Sequence, residues 1–381
     1  MSVSSHPIRA VAVLAAAASS LVLVAPSAAG AENRHRGEHH GNRLAVSQVN
    51  LVSDLATVGA SVVDPDLVNP WGLALGPTSP LWSANNGTDT ATLYSSAAGS
   101  STAAKVSAVR VTFPDKPELP TGQVFNGTTG FVLTQGTASA PARFLFSTLT
   151  GRIEAWAPGV DPAQGNAETK ATVPGAAYTG LALAVASSGP QLYAANFAQG
   201  TVDVFDSTFT LQSHTGAAFH DRKLPKGYAP FGIATLNGNI FVAYAKVDPV
   251  THRNAVGRGL GFVDEFTPEG RLISRVAARQ SLNAPWGLEI APPSWGELAG
   301  DLLVGNFGDG RINVIEHDRH GRFGDEIEGQ LRNSSTGKTL VIPGLWALLR
   351  GTASTGGADS VWFSAGIDNE QHGLIGVLRK P

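Results

Sequence analysis

Apolar residues fall in short runs of about four to eight, separated by clusters of Gly, Asn, Asp and Pro, and almost nowhere in a helical rhythm. Runs of Val, Leu, Ile, Phe and Tyr between turn-forming clusters predict many short β-strands. The pattern also repeats. "NPWGLALGP" (69–77) returns as "NAPWGLEIAPP" (283–293), and weaker copies stand between and after the pair.

Six units emerge from these copies. The first reads "PWGLALGP" at 70–77, "PLWSANNG" at 80–87 and "TATLYSS" at 90–96. The second is placed at "TGFVLTQG" (129–136), "ARFLFSTLTG" (142–151) and "RIEAWAPG" (152–159), and the third starts at "TGLALAVA" (179–186). "PFGIATLNG" (230–238), "PWGLEIAP" (285–292) and "GLWALLRG" (344–351) open the remaining three. Gly72, Gly130, Gly180, Gly232, Gly287 and Ala347 then recur at steps of 50 to 60 residues. Each unit reads as a glycine-marked strand, an aromatic-rich strand and a third strand. Weaker fourth strands follow at 105–113, 168–175, 271–279 and 338–343.

Radially repeated four-stranded antiparallel units make a β-propeller, so the expected fold is all-β with six blades. The sixth unit runs out of chain after three strands, while "LAVSQVNLVSDL" (44–55) is a spare strand ahead of the first. Pairing of that N-terminal strand with the last blade would close the ring and remove two exposed edges. Glycine at the inner strand lets crowded backbones approach one another. Trp71 and Trp286 precede that glycine and are expected to wedge between blades, with stacking of a ligand on their rings as the sharper alternative.

Composition adds an address and removes several partners. Residues 1–31 carry one Arg, an apolar stretch from Ala10 to Val24 and then small residues, the layout of a secretory signal cut after Ala29 or Ala31. The polar segment 32–43 holds His35, His39 and His40 and reads as a flexible leader, with metal capture as its alternative. The ring then spans 44–381. A secreted, extracellular monomer is expected, with no membrane insertion. The chain has no cysteine, so no disulfide supports it. A net charge of −3 with no basic stripe argues against nucleic acid.

Propeller strand order puts the loops leading into each inner strand on one face with the loops between strands two and three. On this top face the loops are polar. Asn85, Asn196 and Asn306 occupy one equivalent position, and Asp368 lies near it in the sixth unit. The loops into the inner strands add Asn69, Tyr178 and Asn283, and His372 is the one histidine in the turns. Carboxamide and carboxylate oxygens in a ring suit Ca²⁺, with Asn196, Asn306 and Asp368 as its ligands. A metal there would activate water for lactone or ester hydrolysis. The competing reading is that Asn and Gly merely shape hairpin turns. The longest insertion, Lys246 to Leu260, overhangs the same face and brings His252 and Arg253. No serine elbow, phosphate loop or His-Glu-x-x-His occurs.

The repeated "NPWGLALGP" and "APWGLEIAP", with "GNFGDGRINVIE" and the signal-like start, resemble an exported bacterial family of NHL-repeat-like six-bladed propellers of unassigned function, over residues 44 to 380. More remotely, the architecture is similar to the regucalcin and gluconolactonase group, whose cation is held by a Glu, two Asn/Asp-type residues and an Asp around the axis. That resemblance gives Asn196 and Asn306 the asparagine roles, while "NPWG" stands where the glutamate would be. The sequence therefore points to a propeller binding a small molecule, glycan or protein partner on its top face. A metal-dependent lactonase and a rim-docking scaffold are its alternatives.

Overall fold

Short strands with one or both faces apolar are stable only when stacked, and here they stack around an axis. The computed structural model describes residues 43–160, 165–212 and 218–381. These form a six-bladed β-propeller of antiparallel sheets, to which the closing blade adds short parallel pairings of Ala45–Ser53 with Val62–Val63 and with Arg332–Asn333. The inner strands are Pro70–Ala74, Pro120–Phe125, Tyr178–Ala186, Tyr228–Leu236, Pro285–Ile290 and Leu345–Arg350. The expected signal segment and nearly all of the leader lie outside the described residues. No helix among the described residues is long and apolar enough to cross a membrane.

The ring closes as the spare strand predicts. Ala45–Ser53 pairs antiparallel with Leu374–Arg379, from Ser47 opposite Arg379 to Ser53 opposite Leu374, with a bulge between Asn50 and Val52. It thus completes a blade begun by Leu345–Arg350 and Ser360–Ala365. Arg43, expected to end the leader, is instead docked on blade 5. Its guanidinium donates to Asp301 at 2.9 Å and to Glu328. Lys380 returns the tie by donating to the Ala45 carbonyl at 3.1 Å.

Two assignments change. The inner strand of blade 2 is Pro120–Phe125, and its axial glycine is Gly122 rather than Gly130. The run at 129–136 folds instead into a hairpin, Val132–Gln135 with Ala138–Pro141, inserted before the second strand. A Pro-x-Gly start marks the inner strand in blades 1, 2, 4 and 5, and "PTG" at 120–122 carries it where "TTG" at 128–130 does not. The outermost strand of blade 5 is Gly329–Gln330, while 338–343 packs as irregular chain through Leu340 and Ile342.

The inner-strand glycines are needed for close approach. A Cβ on Gly122 would collide with the backbone of Leu181 in blade 3, and one on Gly232 with the Trp286 carbonyl of blade 5. Gly72 and Gly287 meet the next blade's backbone in the same way. Polar side chains then bridge neighbouring blades. Thr121 Oγ1 donates to the Tyr178 carbonyl at 2.7 Å, and Ser364 Oγ to the Trp71 carbonyl at 2.6 Å. Between blades the core is apolar and includes fully buried Phe146, Tyr193, Phe241 and Trp362.

Candidate functional site

The top-face asparagines are fully buried and bonded within their own blades. Asn85 donates to Thr90 and Thr92 and accepts from Ser83. The Asn196 oxygen accepts the Ala177 and Gln199 amides, and its nitrogen donates to Gln199 and Asp203. The Asn306 oxygen accepts from the Asn283 amide and from Asn313, while its nitrogen donates to the Ser281 carbonyl and Asp309. Each residue thus ties the turn after its strand, or the loop leading into its blade, to the sheet. An amide oxygen has two lone pairs. In Asn196 and Asn306 both are taken by protein donors, so the pair does not fit a cation. Among the described residues no group of three His, Asp or Glu side chains stands ready for a metal ion.

The other predicted residues also serve the frame. Tyr178 donates to Asp203 at 2.9 Å, and burial pushes its phenol far above the usual range. Asn283 accepts the Gly257 amide and so anchors the long insertion. His372 Nδ1 lies 2.6 Å from Asp54, next to the closing strand. Asp368 is exposed on a turn where Asp368, Asn369 and Glu370 all have positive φ. Asn69 joins blades 1 and 6: its oxygen accepts Trp346 Nε1 at 3.0 Å and its nitrogen donates to Glu370 at 3.1 Å. Arg253 of the insertion reaches the same carboxylate at 3.2 Å.

Below these loops the axis is filled. Trp71 stacks on Trp346 with centroids 3.6 Å apart, and Phe307 covers the other side of Trp346 at 4.1 Å. Trp286 stands edge-on to both indoles, and Phe197 and Phe231 pack at the margin. Trp286 Nε1 donates at 2.8 Å to the Thr179 carbonyl, two blades away. The tryptophans therefore converge on the axis and stack on one another instead of wedging between adjacent blades. Their rings are too enclosed to serve as an open stacking platform.

The open space lies behind this plug, toward the opposite face. All six inner strands line an axial cavity of about 260 Å³. Trp286 closes its inner end, and half-exposed Leu75, Phe125, Leu183, Ala234 and Leu349 surround its mouth. Its side-chain lining is apolar apart from Gln123, Thr235 and Glu289. Every inner strand is hydrogen-bonded to a neighbour on one side only, so unpaired peptide edges also face the axis.

Glu289 is the one ionisable group in this lining. One carboxylate oxygen accepts the Ile290 amide at 2.8 Å and the other the Arg350 amide at 2.7 Å, joining blade 5 to blade 6. Burial outweighs those two hydrogen bonds and pushes the carboxyl up to about 7. Gln123 lies in blade 2, on the opposite side of the ring, and neither atom of its enclosed carboxamide has a protein partner. Thr235 is spent on the Leu183 carbonyl at 2.9 Å. Sequence reasoning missed Glu289 and Gln123, although one signal was present. The two PWGL copies differ two residues after their glycine, where Ala74 stands in one and Glu289 in the other.

No family model matches the chain. An uncharacterised protein of Acanthamoeba polyphaga mimivirus is 33% identical over 351 residues, covering 89% of this chain and 82% of the viral one. A second uncharacterised protein of the same virus is 33% identical over 349 residues, covering 89% and 88%. Among solved structures, a streptogramin B lyase superposes with a TM-score of 0.49 at 13% identity, over 88% of this chain and 97% of the lyase. That likeness is too distant to carry an activity across.

Proposed function

The chain belongs to one family with the two mimivirus proteins, and for it we propose a role as a small-molecule-binding propeller whose ligand occupies the axial cavity. The observation that carries this reading is the cavity itself. It is bounded by all six blades, closed at one end by Trp286, open at the other, and holds an enclosed carboxyl and an unpaired carboxamide in an apolar wall. Concave, mostly apolar sites with a few polar groups are the usual form of ligand pockets. The top face, where the sequence pattern suggests a site, supports the idea less, because its asparagines are bonded inward and its centre is packed with indole rings. Binding is favoured over catalysis, since Glu289 has no second acid, base or free nucleophile beside it in the lining. The signal-like start supports action outside the cell.

The test uses 2-naphthol, a neutral aromatic probe, and follows quenching of tryptophan fluorescence. Saturable quenching is expected in the parent protein. It should disappear in Ala234→Trp, which blocks the half-exposed mouth, and persist in Asn196→Ala and in the presence of a chelator. Quenching that survives Ala234→Trp but is lost in Asn196→Ala would move the site to the other face.

A further inference from the structure

Resting on the axial cavity as the binding site, we propose that its ligand is a small organic amine, an apolar body whose ammonium group is received by Glu289. The lining supplies one negative charge and no positive one: among its residues Glu289 alone is ionisable. Its carboxylate is held in place rather than neutralised. Each oxygen accepts one backbone amide, from Ile290 and from Arg350, and each keeps a second lone pair. Among the described residues no cationic side chain forms an ion pair with it, and of Arg350 only the main-chain amide bonds to it. A buried carboxylate in a lining that is otherwise almost wholly apolar is unfavourable unless a positive charge joins it. The rise of its proton affinity to about 7 has the same cause. An ammonium donates up to three hydrogen bonds and would restore the ionised form.

The rest of the wall fits the rest of such a molecule. Apolar residues from six strands surround the body, with Trp286 among them. Gln123, three blades round the ring from Glu289, adds to the same lining a buried carboxamide that has no protein partner. A carboxylic acid or phosphate would meet repulsion from Glu289 and no compensating cationic side chain in the lining. The charged groups acting on Glu289 are few: Arg350 is the one whose field lowers its proton affinity, and burial outweighs it. Amine binding is therefore coupled to release of a proton from the carboxyl, and affinity rises with pH while the amine stays protonated.

Calorimetric titration of the full chain with 2-phenylethylamine and with 2-phenylethanol decides the matter, because the two probes differ in charge and hardly in shape. At pH 8 the amine is expected to bind at least about tenfold more tightly than the alcohol. Glu289→Gln should abolish that preference, and a circular dichroism spectrum and a cooperative unfolding transition like the parent's show that the variant is folded. Between pH 8 and pH 5.5 amine affinity should weaken while alcohol affinity stays level. Equal affinities in the parent protein, with both lost in Ala234→Trp, would overturn the amine assignment and leave the cavity as a binding site. No binding of either probe at millimolar concentration, or binding indifferent to Ala234→Trp, would overturn both.

Discussion

Glu154 shows how much a single enclosed carboxyl can weigh. It is fully buried in blade 2, one oxygen accepts the Thr169 hydroxyl at 2.7 Å, and the other has no partner. Burial is the largest cause that pushes its carboxyl up to about 8, with the neighbouring Glu118 adding to it. The unfolded chain titrates this group near 4.5. Between those values the folded state holds the extra proton, so the stability this group contributes is complete below pH 4.5 and is lost as pH rises toward 8. Glu289 acts in the same direction up to about 7. Glu154→Gln keeps the shape and removes the titration. Denaturant unfolding should find variant and parent of similar stability at pH 5, and the variant ahead by up to several kcal/mol at pH 8.5. A difference that does not change with pH would show that Glu154 is ionised in the fold.

Strands and turns are where the sequence was most and least informative. Pro-x-Gly marks the inner strands of blades 1, 2, 4 and 5 because there only a residue without Cβ lets adjacent backbones approach so closely. Gly232 makes the point testable. An added Cβ there meets the Trp286 carbonyl, which is held in the next inner strand and cannot turn aside as a side chain would. Gly232→Ala is expected to cost more than about 2 kcal/mol in chemical denaturation. Gly324→Ala, at an exposed position with open space around it, should be neutral or slightly stabilising. The same logic explains the misplacement in blade 2. Glycine alone is a weak marker, and Gly130 starts a surface hairpin whereas Gly122 sits against Leu181. Turn chemistry was ambiguous for a different reason. An asparagine that locks a hairpin and one that holds a ligand look identical in a sequence. Only the partners of Asn85, Asn196 and Asn306 distinguish them. Glu289 was legible in principle as a carboxylate inside an apolar strand, but its meaning depends on six strands that are distant in sequence.

At the scale of the whole ring, the closing blade determines whether the other five count as one structure. A propeller with an open seam exposes strand edges at both sides, and edges are sites of mispairing. Here the seam is joined by non-contiguous chain: Ala45–Ser53 lies beside Leu374–Arg379, and Val46 and Leu331 belong to one core with Leu378. Continuity of blade 6, not the order in which the blades are connected, should therefore set stability. Joining Pro381 to Arg43 by a short flexible linker and opening the chain between Gly136 and Thr137 tests this. Lys380 already bonds the carbonyls at Arg43 and Ala45, so the linker has little distance to cover, and the new break falls in an exposed hairpin turn outside the blade sheets. Such a permutant is expected to unfold in one transition within a few degrees of the unpermuted 43–381 chain, and to bind 2-naphthol equally well, because the axial wall is unchanged. Cutting instead between Ser53 and Asp54, with the same linker, leaves the strand order of blade 6 intact but makes the closing strand C-terminal. If closure depends on pairing rather than connectivity, that form should also fold, whereas deletion of 43–53 should not. A permutant opened at Gly136 that melts far below the unpermuted chain would locate the stability in the order of the blades instead.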